Sequence, residues 1–178
     1  MAKEITGIVV PVVTPFHADE SLNEPGLRRI VNYLIDAGVH GLFPAGSQGE
    51  QFSLTLAERQ RIIDIVVEEA AGRVFVMPGT GGVTTRESIA LTQYAEQAGA
   101  DAVSVITPYF IKPSEAELVT HYTRIAQSVS LPVLAYNNPD RTGLPLTPAV
   151  VARVAQAAPN LIGVKDSSGD LSNALGYL

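Results

Sequence analysis

In the run LIGVKDSSGD, from Leu161 to Asp170, an apolar stretch ends on Lys165, with Asp166, Ser167 and Ser168 directly behind it. A lysine in that position is costly to desolvate, and most lysines stay in water. Taken alone, it reads best as a strand end whose ammonium reaches solvent. The sharper reading is a lysine in a partly dry pocket, where a neutral amine attacks a carbonyl. Other polar groups collect at similar places. AGSQGE puts Ser47, Gln48 and Glu50 in a glycine-flanked turn, whose successive N–H groups can form a nest for a carboxylate or simply face solvent. TPYFIKPS carries Tyr109 and Phe110, aromatics that read as rim packing. AYNNPDRTG places Tyr136 at a strand end and Arg141 in the loop behind it, where a guanidinium can clamp an acid.

The elements that must position these groups follow a rhythm. Short β-rich runs (GIVVPVVTPF, HGLFPAG, RVFVMPGTG, DAVSVITPYF, LPVLAYNNP and NLIGVKD) recur at roughly the 30-residue length of one βα unit. Helical periodicity fills the gaps. Leu27, Ile30, Val31, Leu34 and Ile35 line one face, with Gly38 as the stop. Thr55 with Glu58, Thr84 with Glu87, and Ser114 with Glu117 have capping-box spacing, and Thr147–Pro148 opens a further helix. Strand and helix alternate throughout, which predicts an α/β fold with a parallel sheet and helices outside it.

Two such architectures compete. A doubly wound dinucleotide fold wants a glycine fingerprint after its first strand, where this chain has VTPFHADESLN. GTGGVTT, after the third strand, lacks both the phosphate-loop lysine and the G-x-G-x-x-G spacing. A (βα)8 barrel fits better, because polar and glycine-rich residues follow every strand, and barrels build their sites from those loops. Six strands are present rather than eight, so residues 1–178 read as one barrel domain, C-terminally incomplete, covering the first six βα units.

Composition excludes other classes. Hydrophobic residues make up 46% and charged residues 17% of 178, which is neither a disordered nor a membrane composition. The N-terminal MAKEITGIVV lacks the regions of a signal peptide, and no apolar run approaches a membrane span. A net charge of -6 without a basic patch argues against nucleic acid. The absence of cysteine removes disulfides and thiolate chemistry and fits a cytoplasmic protein. His17, His40 and His121 have no ligand partner at helical spacing, so no metal is expected.

In a barrel, consecutive strand ends are neighbours, so Tyr136 and Lys165 come side by side. A phenol beside an amine suits imine formation, which shuttles protons on and off a carbinolamine. A carboxylate nest and an arginine suit a 2-oxo acid such as pyruvate.

These residues resemble the dihydrodipicolinate synthase and N-acetylneuraminate lyase family of class I aldolases. VVTPF, GSQGE, GRVFVMPGTG, ADAVSVITPYF, YNNPDRTG and GVKDSSGD carry the resemblance in order along essentially the whole chain. It implies that Lys165 forms the imine with pyruvate and that Tyr136 is the proton shuttle. It further implies that Ser47 hydrogen-bonds the tyrosine, that the Ser47 and Gln48 amides hold the pyruvate carboxylate, and that Arg141 binds the second substrate. It implies no cofactor, a pyruvate-plus-aldehyde reaction and a homo-oligomer, dimer or tetramer.

Departures bear on the second substrate. Gln48 replaces the second threonine of G-T-T-G-E, Phe110 stands where the synthases usually carry a tyrosine, and GVKDSSGD differs from their K-E-[AS]-[TS]-G. The leading expectation is a synthase-like lyase of lysine and diaminopimelate biosynthesis, condensing pyruvate with an aspartate-derived semialdehyde. A 2-oxo-3-deoxy sugar acid or N-acetylneuraminate-type aldolase is the first alternative, and a truncated, non-catalytic fragment the second.

Overall fold

A computed structural model describes residues 4–178; the first three, part of the N-terminal run weighed above, lie outside it. Each expected β-rich run forms a strand, shorter than its apolar stretch. The strands are β1 (Val9–Pro11), β2 (Gly41–Phe43), β3 (Phe75–Val76), β4 (Val103–Ile106), β5 (Val133–Asn137) and β6 (Leu161–Asp166). Seven helices alternate with them: α1 (Glu24–Asp36), α2 (Leu56–Ala70), α3 (Thr85–Ala98), α4 (Glu115–Ala126), α5 (Pro139–Thr142), α6 (Pro148–Ala157) and α7 (Leu171–Leu175). Among the described residues no helix is long and apolar enough to cross a membrane.

The start signals act as their chemistry requires. Thr55 and Ser114 each close a complete capping box with Glu58 and Glu117. Thr84 accepts from the Glu87 amide at 3.2 Å, and Thr147 from the Val150 amide at 3.4 Å. Each bond satisfies an N-terminal N–H that has no partner inside its helix. Gly38 follows α1 at φ +85°, the left-handed conformation in which a Cβ is strained.

The chain divides into two compact units. The first runs to Gly79 and takes in Tyr94–Ala102; the second holds Thr80–Gln93 and Val103–Leu178. In the first, β1, β2 and β3 pair in parallel, in that order. Leu27 and Val31 of α1, Ile62, Ile65 and Val66 of α2, and Leu42 and Val76 of the sheet share one buried core. Arg61 grips Glu24, and Arg28 reaches Glu68 and Glu69, so α1 is tied to α2 outside that core. The ladder stops at β3. The Val76 amide donates to the Asp101 carboxylate at 2.9 Å and the Val76 carbonyl accepts from the Asp101 amide, so one residue occupies the groups a further strand would use.

In the second unit β4, β5 and β6 pair in parallel, in that order, and α4 packs on α6. One irregularity matters for the site. Val133 pairs with Leu161 but Leu134 pairs with Gly163, so Ile162 is an extra residue in β6. This bulge brings Tyr136 opposite Lys165 and Asn137 opposite Asp166.

His121 of α4 is buried, as a packing histidine should be, with Nδ1 2.9 Å from the Thr85 hydroxyl and Nε2 without a partner. Burial pushes its pKa down from 6.5 to about 4. Protonation would place an unpaired N–H in the interior, whereas the unfolded chain protonates freely. Between those two values the unfolded state therefore binds the extra proton, and stability falls as pH drops from 6.5 towards 4. The loss should approach roughly 3 kcal/mol. Urea unfolding of the parent and of His121→Gln at pH 7 and pH 4.5 measures it: the parent should lose more stability than the variant between the two.

Candidate active site

β5 and β6 hold the two residues with which the site begins. In a parallel ladder, paired residues point to the same side, and the register pairs Tyr136 with Lys165. Lys165 Nζ lies 3.4 Å from the centre of the Tyr136 ring. A cation over the face of a phenol ring is attracted by the ring quadrupole. The lysine also donates to Ser167 Oγ at 3.3 Å. Tyr136 is buried, 4% exposed, and Lys165 is half-buried. The phenol therefore has a fixed frame, while the amine is reachable from outside. The side-by-side placement expected of these strand ends is present.

The frame extends over the residues behind Tyr136. The Tyr136 carbonyl accepts from the Thr107 amide at 3.1 Å. Asn137 is fully buried and faces the other side of the strand. Its Nδ2 donates to Asp166 Oδ1 at 2.7 Å, and its Oδ1 accepts from the Leu146 amide at 2.9 Å. Asn138 is buried too, and its Nδ2 donates to the Tyr136 phenol oxygen at 2.9 Å. Thr107 donates to Thr142 Oγ1 at 2.9 Å, and Thr142 returns a bond to the Asn138 carbonyl at 3.1 Å. Sequence reasoning gave no role to Asn137, Asn138 and Thr107, nor to Asp166 beyond its place behind Lys165. The available signal was two consecutive amides directly behind an apolar strand, a place where unpaired polar groups are expensive.

Arg141 sits exposed in the last turn of α5, and its amide donates to the Asn138 carbonyl at 3.1 Å. Its side chain faces solvent at a short distance along the chain from Tyr136, which suits contact with an arriving acid. Phe110 is 91% exposed at φ +78°, a left-handed backbone that a bulky residue rarely adopts. It is therefore not packed into a rim. Tyr109, beside it, is half-buried.

The turn after β2 belongs to the first unit and stands as an element of its own. Ser47–Gly49 form a single 3₁₀ turn, with Ser47 half-buried and Gln48 exposed. Three bonds close it: Gly49 N and Gln51 N donate to the Gly46 carbonyl, and Glu50 N to the Ser47 carbonyl. The Ser47 and Gln48 amides precede these bonds and have no acceptor among the described residues. The turn is pinned from below. Thr14 Oγ1 donates to the Gly49 carbonyl at 2.7 Å, and a Cβ on Gly49 would lie 2.9 Å from the Val12 carbonyl oxygen. Only glycine fits there, which explains the second glycine of GSQGE. No group of histidines and acids able to hold a metal occurs among the described residues.

Residues 4–177 match the model of the dihydrodipicolinate synthetase family. The 4-hydroxy-tetrahydrodipicolinate synthase of Methanopyrus kandleri is 44% identical over 172 residues, covering 96% of this chain and 57% of the relative. An Escherichia coli K12 protein with the provisional name 2-dehydro-3-deoxy-D-gluconate aldolase YagE is 48% identical over 162 residues, 91% of this chain and 54% of its own. The crystal structure of YagE in complex with pyruvate superposes with a TM-score of 0.93, covering 97% of this chain and 58% of that one. A 4-hydroxy-tetrahydrodipicolinate synthase from Methylacidiphilum fumariolicum SolV, 31% identical, superposes with a TM-score of 0.94 over 97% of this chain and 57% of that one. The chain thus has the (βα)8-barrel fold class of these proteins, over six strand-and-helix units, and spans somewhat over half their length. With its motifs in order from β1 to β6, the chain belongs to the dihydrodipicolinate synthetase family.

Proposed function

We propose that this chain carries the imine-forming site of a Schiff-base lyase that condenses pyruvate with an aldehyde, as a 4-hydroxy-tetrahydrodipicolinate synthase does. The observation that supports it most is the pairing of Lys165 with Tyr136, amine over phenol ring at 3.4 Å, on two adjacent strands. Lys165 Nζ attacks the ketone carbon of pyruvate and gives a carbinolamine. Tyr136 passes protons during this step, delivering one to the departing hydroxyl, which leaves as water. The resulting protonated imine draws electrons from C3. A C3 proton leaves, and the enamine carbon attacks the aldehyde to make the new carbon–carbon bond. Hydrolysis then frees Lys165.

The supporting roles are those the family resemblance implies, and exposure and donor chemistry suit them. The Ser47 and Gln48 amides, unpaired within their turn, suit a carboxylate such as that of pyruvate. Arg141, exposed and cationic, suits an acid group on the aldehyde partner. The reading needs no organic cofactor or metal, and it places the protein in the cytoplasm as a dimer or tetramer. A second reading, cleavage of a 2-oxo-3-deoxy sugar acid, is favoured by Phe110, which brings no hydroxyl to the exposed segment after β4. The relative with an aldolase name, at 48% identity, points the same way. Both readings share the lysine–pyruvate imine and differ only in the second substrate.

Intact mass after incubation with pyruvate and borohydride tests the shared step. The folded parent should gain one reduced pyruvyl group, and Lys165→Ala none. An unmodified parent, folded by circular dichroism, would leave a non-catalytic chain as the better reading. Tyr136→Phe should still reach the adduct at long times, but on the order of 100-fold more slowly, because only proton transfer is impaired. Equal rates for parent and Tyr136→Phe would remove the shuttle role.

A further inference from the structure

Asn138 occupies the cap position in front of α5, yet its side chain makes no cap hydrogen bond. Asparagine at such a position ordinarily accepts from the first free amides of the helix. Here the side chain is buried and its Nδ2 donates to Tyr136 Oη at 2.9 Å. Strand periodicity explains why the contact is possible. Residues two apart in a strand point to the same side, and Asn138 follows β5 directly, with φ −144° and ψ 71°. The intervening Asn137 points the opposite way, to Asp166.

The backbone of Asn138 is as constrained as its side chain. Its carbonyl accepts from Arg141 N at 3.1 Å, from Thr142 N at 3.0 Å and from Thr142 Oγ1 at 3.1 Å. Tyr136 is fixed independently, by the ladder to β6 and by the Thr107 amide on its carbonyl. Donor and acceptor are thus held by separate anchors, and their bond is a product of the fold.

A phenol O–H lies in the plane of its ring and can point to either side. An N–H donated to the oxygen from one side occupies that position, and the hydroxyl hydrogen turns to the other. We infer that Asn138 is a positioning residue for the proposed imine chemistry: its amide, donated to Tyr136 Oη, fixes the direction in which the phenol gives and takes its proton. The inference rests on the imine reading above. Lys165 from β6 is the charged group over the π face of the ring, and Asp166 accepts from Asn137. Asn138 touches neither the amine nor a substrate carbon, and it acts through Tyr136.

Removing the donor has a directional consequence. An N–H bond stabilises a phenolate more than a phenol, so its loss makes the phenol hold its proton to higher pH. The experiment follows uptake of deuterium into the methyl group of pyruvate in D₂O, which requires imine and enamine, from pH 6 to pH 10.5. The full chain is compared with Asn138→Leu, Asn138→Asp and Tyr136→Phe, each checked for folding by circular dichroism. Tyr136→Phe identifies the limb of the profile that belongs to the phenol. In Asn138→Leu the maximal rate should fall about tenfold and the alkaline limb should move up by about one pH unit. In Asn138→Asp the limb should move at least as far, because a carboxylate opposes the phenolate.

A limb that keeps its position, or moves down, in a folded variant overturns the inference; downward movement would mean that the amide oxygen, not the amide nitrogen, faces the phenol. If Asn138→Leu does not fold, Asn138→Asp decides alone, being nearly the same shape, and if neither folds Asn138 is structural and the inference falls. No deuterium uptake by the parent overturns the imine reading and this inference with it. Uptake by the parent with superimposable normalised profiles overturns this inference alone.

Discussion

One extra residue in β6 controls the site. Without the bulge at Ile162, the pairing that begins at Val133 and Leu161 would carry Tyr136 opposite Val164 and Asn137 opposite Lys165. Strand side chains alternate between faces, so that shift would send the lysine to the side away from the phenol. The bulge instead pairs phenol with amine on one side, and Asn137 with Asp166 on the other. Both faces then make chemical sense: the first brings an amine to an aromatic face, and the second buries an amide with a carboxylate partner. Ile162 itself is 54% exposed, so the inserted residue costs the core little apolar surface.

The order of elements was legible in the sequence because it rests on local chemistry. Helix starts follow from a hydroxyl three residues before a glutamate, and strands from apolar runs that end in glycine or proline. The adjacency of Tyr136 and Lys165 was legible too, because a lysine ending an apolar run and a tyrosine ending the previous one imply adjacent strand ends in a barrel. The register was not. Nothing in LIGVKDSSGD announces that Ile162 is skipped, since a bulge is decided by the fit of the whole ladder rather than by any one residue. The stop at β3 escaped for a similar reason: Asp101 looks like an ordinary loop acid until its carboxylate is seen on the Val76 amide.

The polar residues behind Tyr136 show how far sequence patterns reach. YNNP reads as a strand end and a turn, and in that vocabulary the two asparagines are interchangeable. Strand alternation makes them different. Asn137 satisfies buried backbone and a carboxylate, while Asn138 gives up a helix cap to meet the phenol. An uncapped helix start costs about 1 kcal/mol, and α5 is only one turn long, so little helix stability is forfeited. What remains is a fixed orientation for the hydroxyl of a ring that sits under a lysine.

Exposure separates two kinds of residue in this chain. Tyr136 and Asn137 are buried and lie in the ladder, Asn138 is buried behind them and bonded to the phenol, and Lys165 is half-buried. Gln48, Phe110 and Arg141 are exposed and lie on turns. A change in the first group alters register or leaves a buried polar group unpaired, at a cost of roughly 1 to 3 kcal/mol for each lost partner. A change in the second alters only what solvent or a substrate meets. This is why Gln48 and Phe110 differ from the synthase pattern without disturbing the pairing of Tyr136 with Lys165. The ladder fixes these pairings, and the exposed turns can vary without disturbing them.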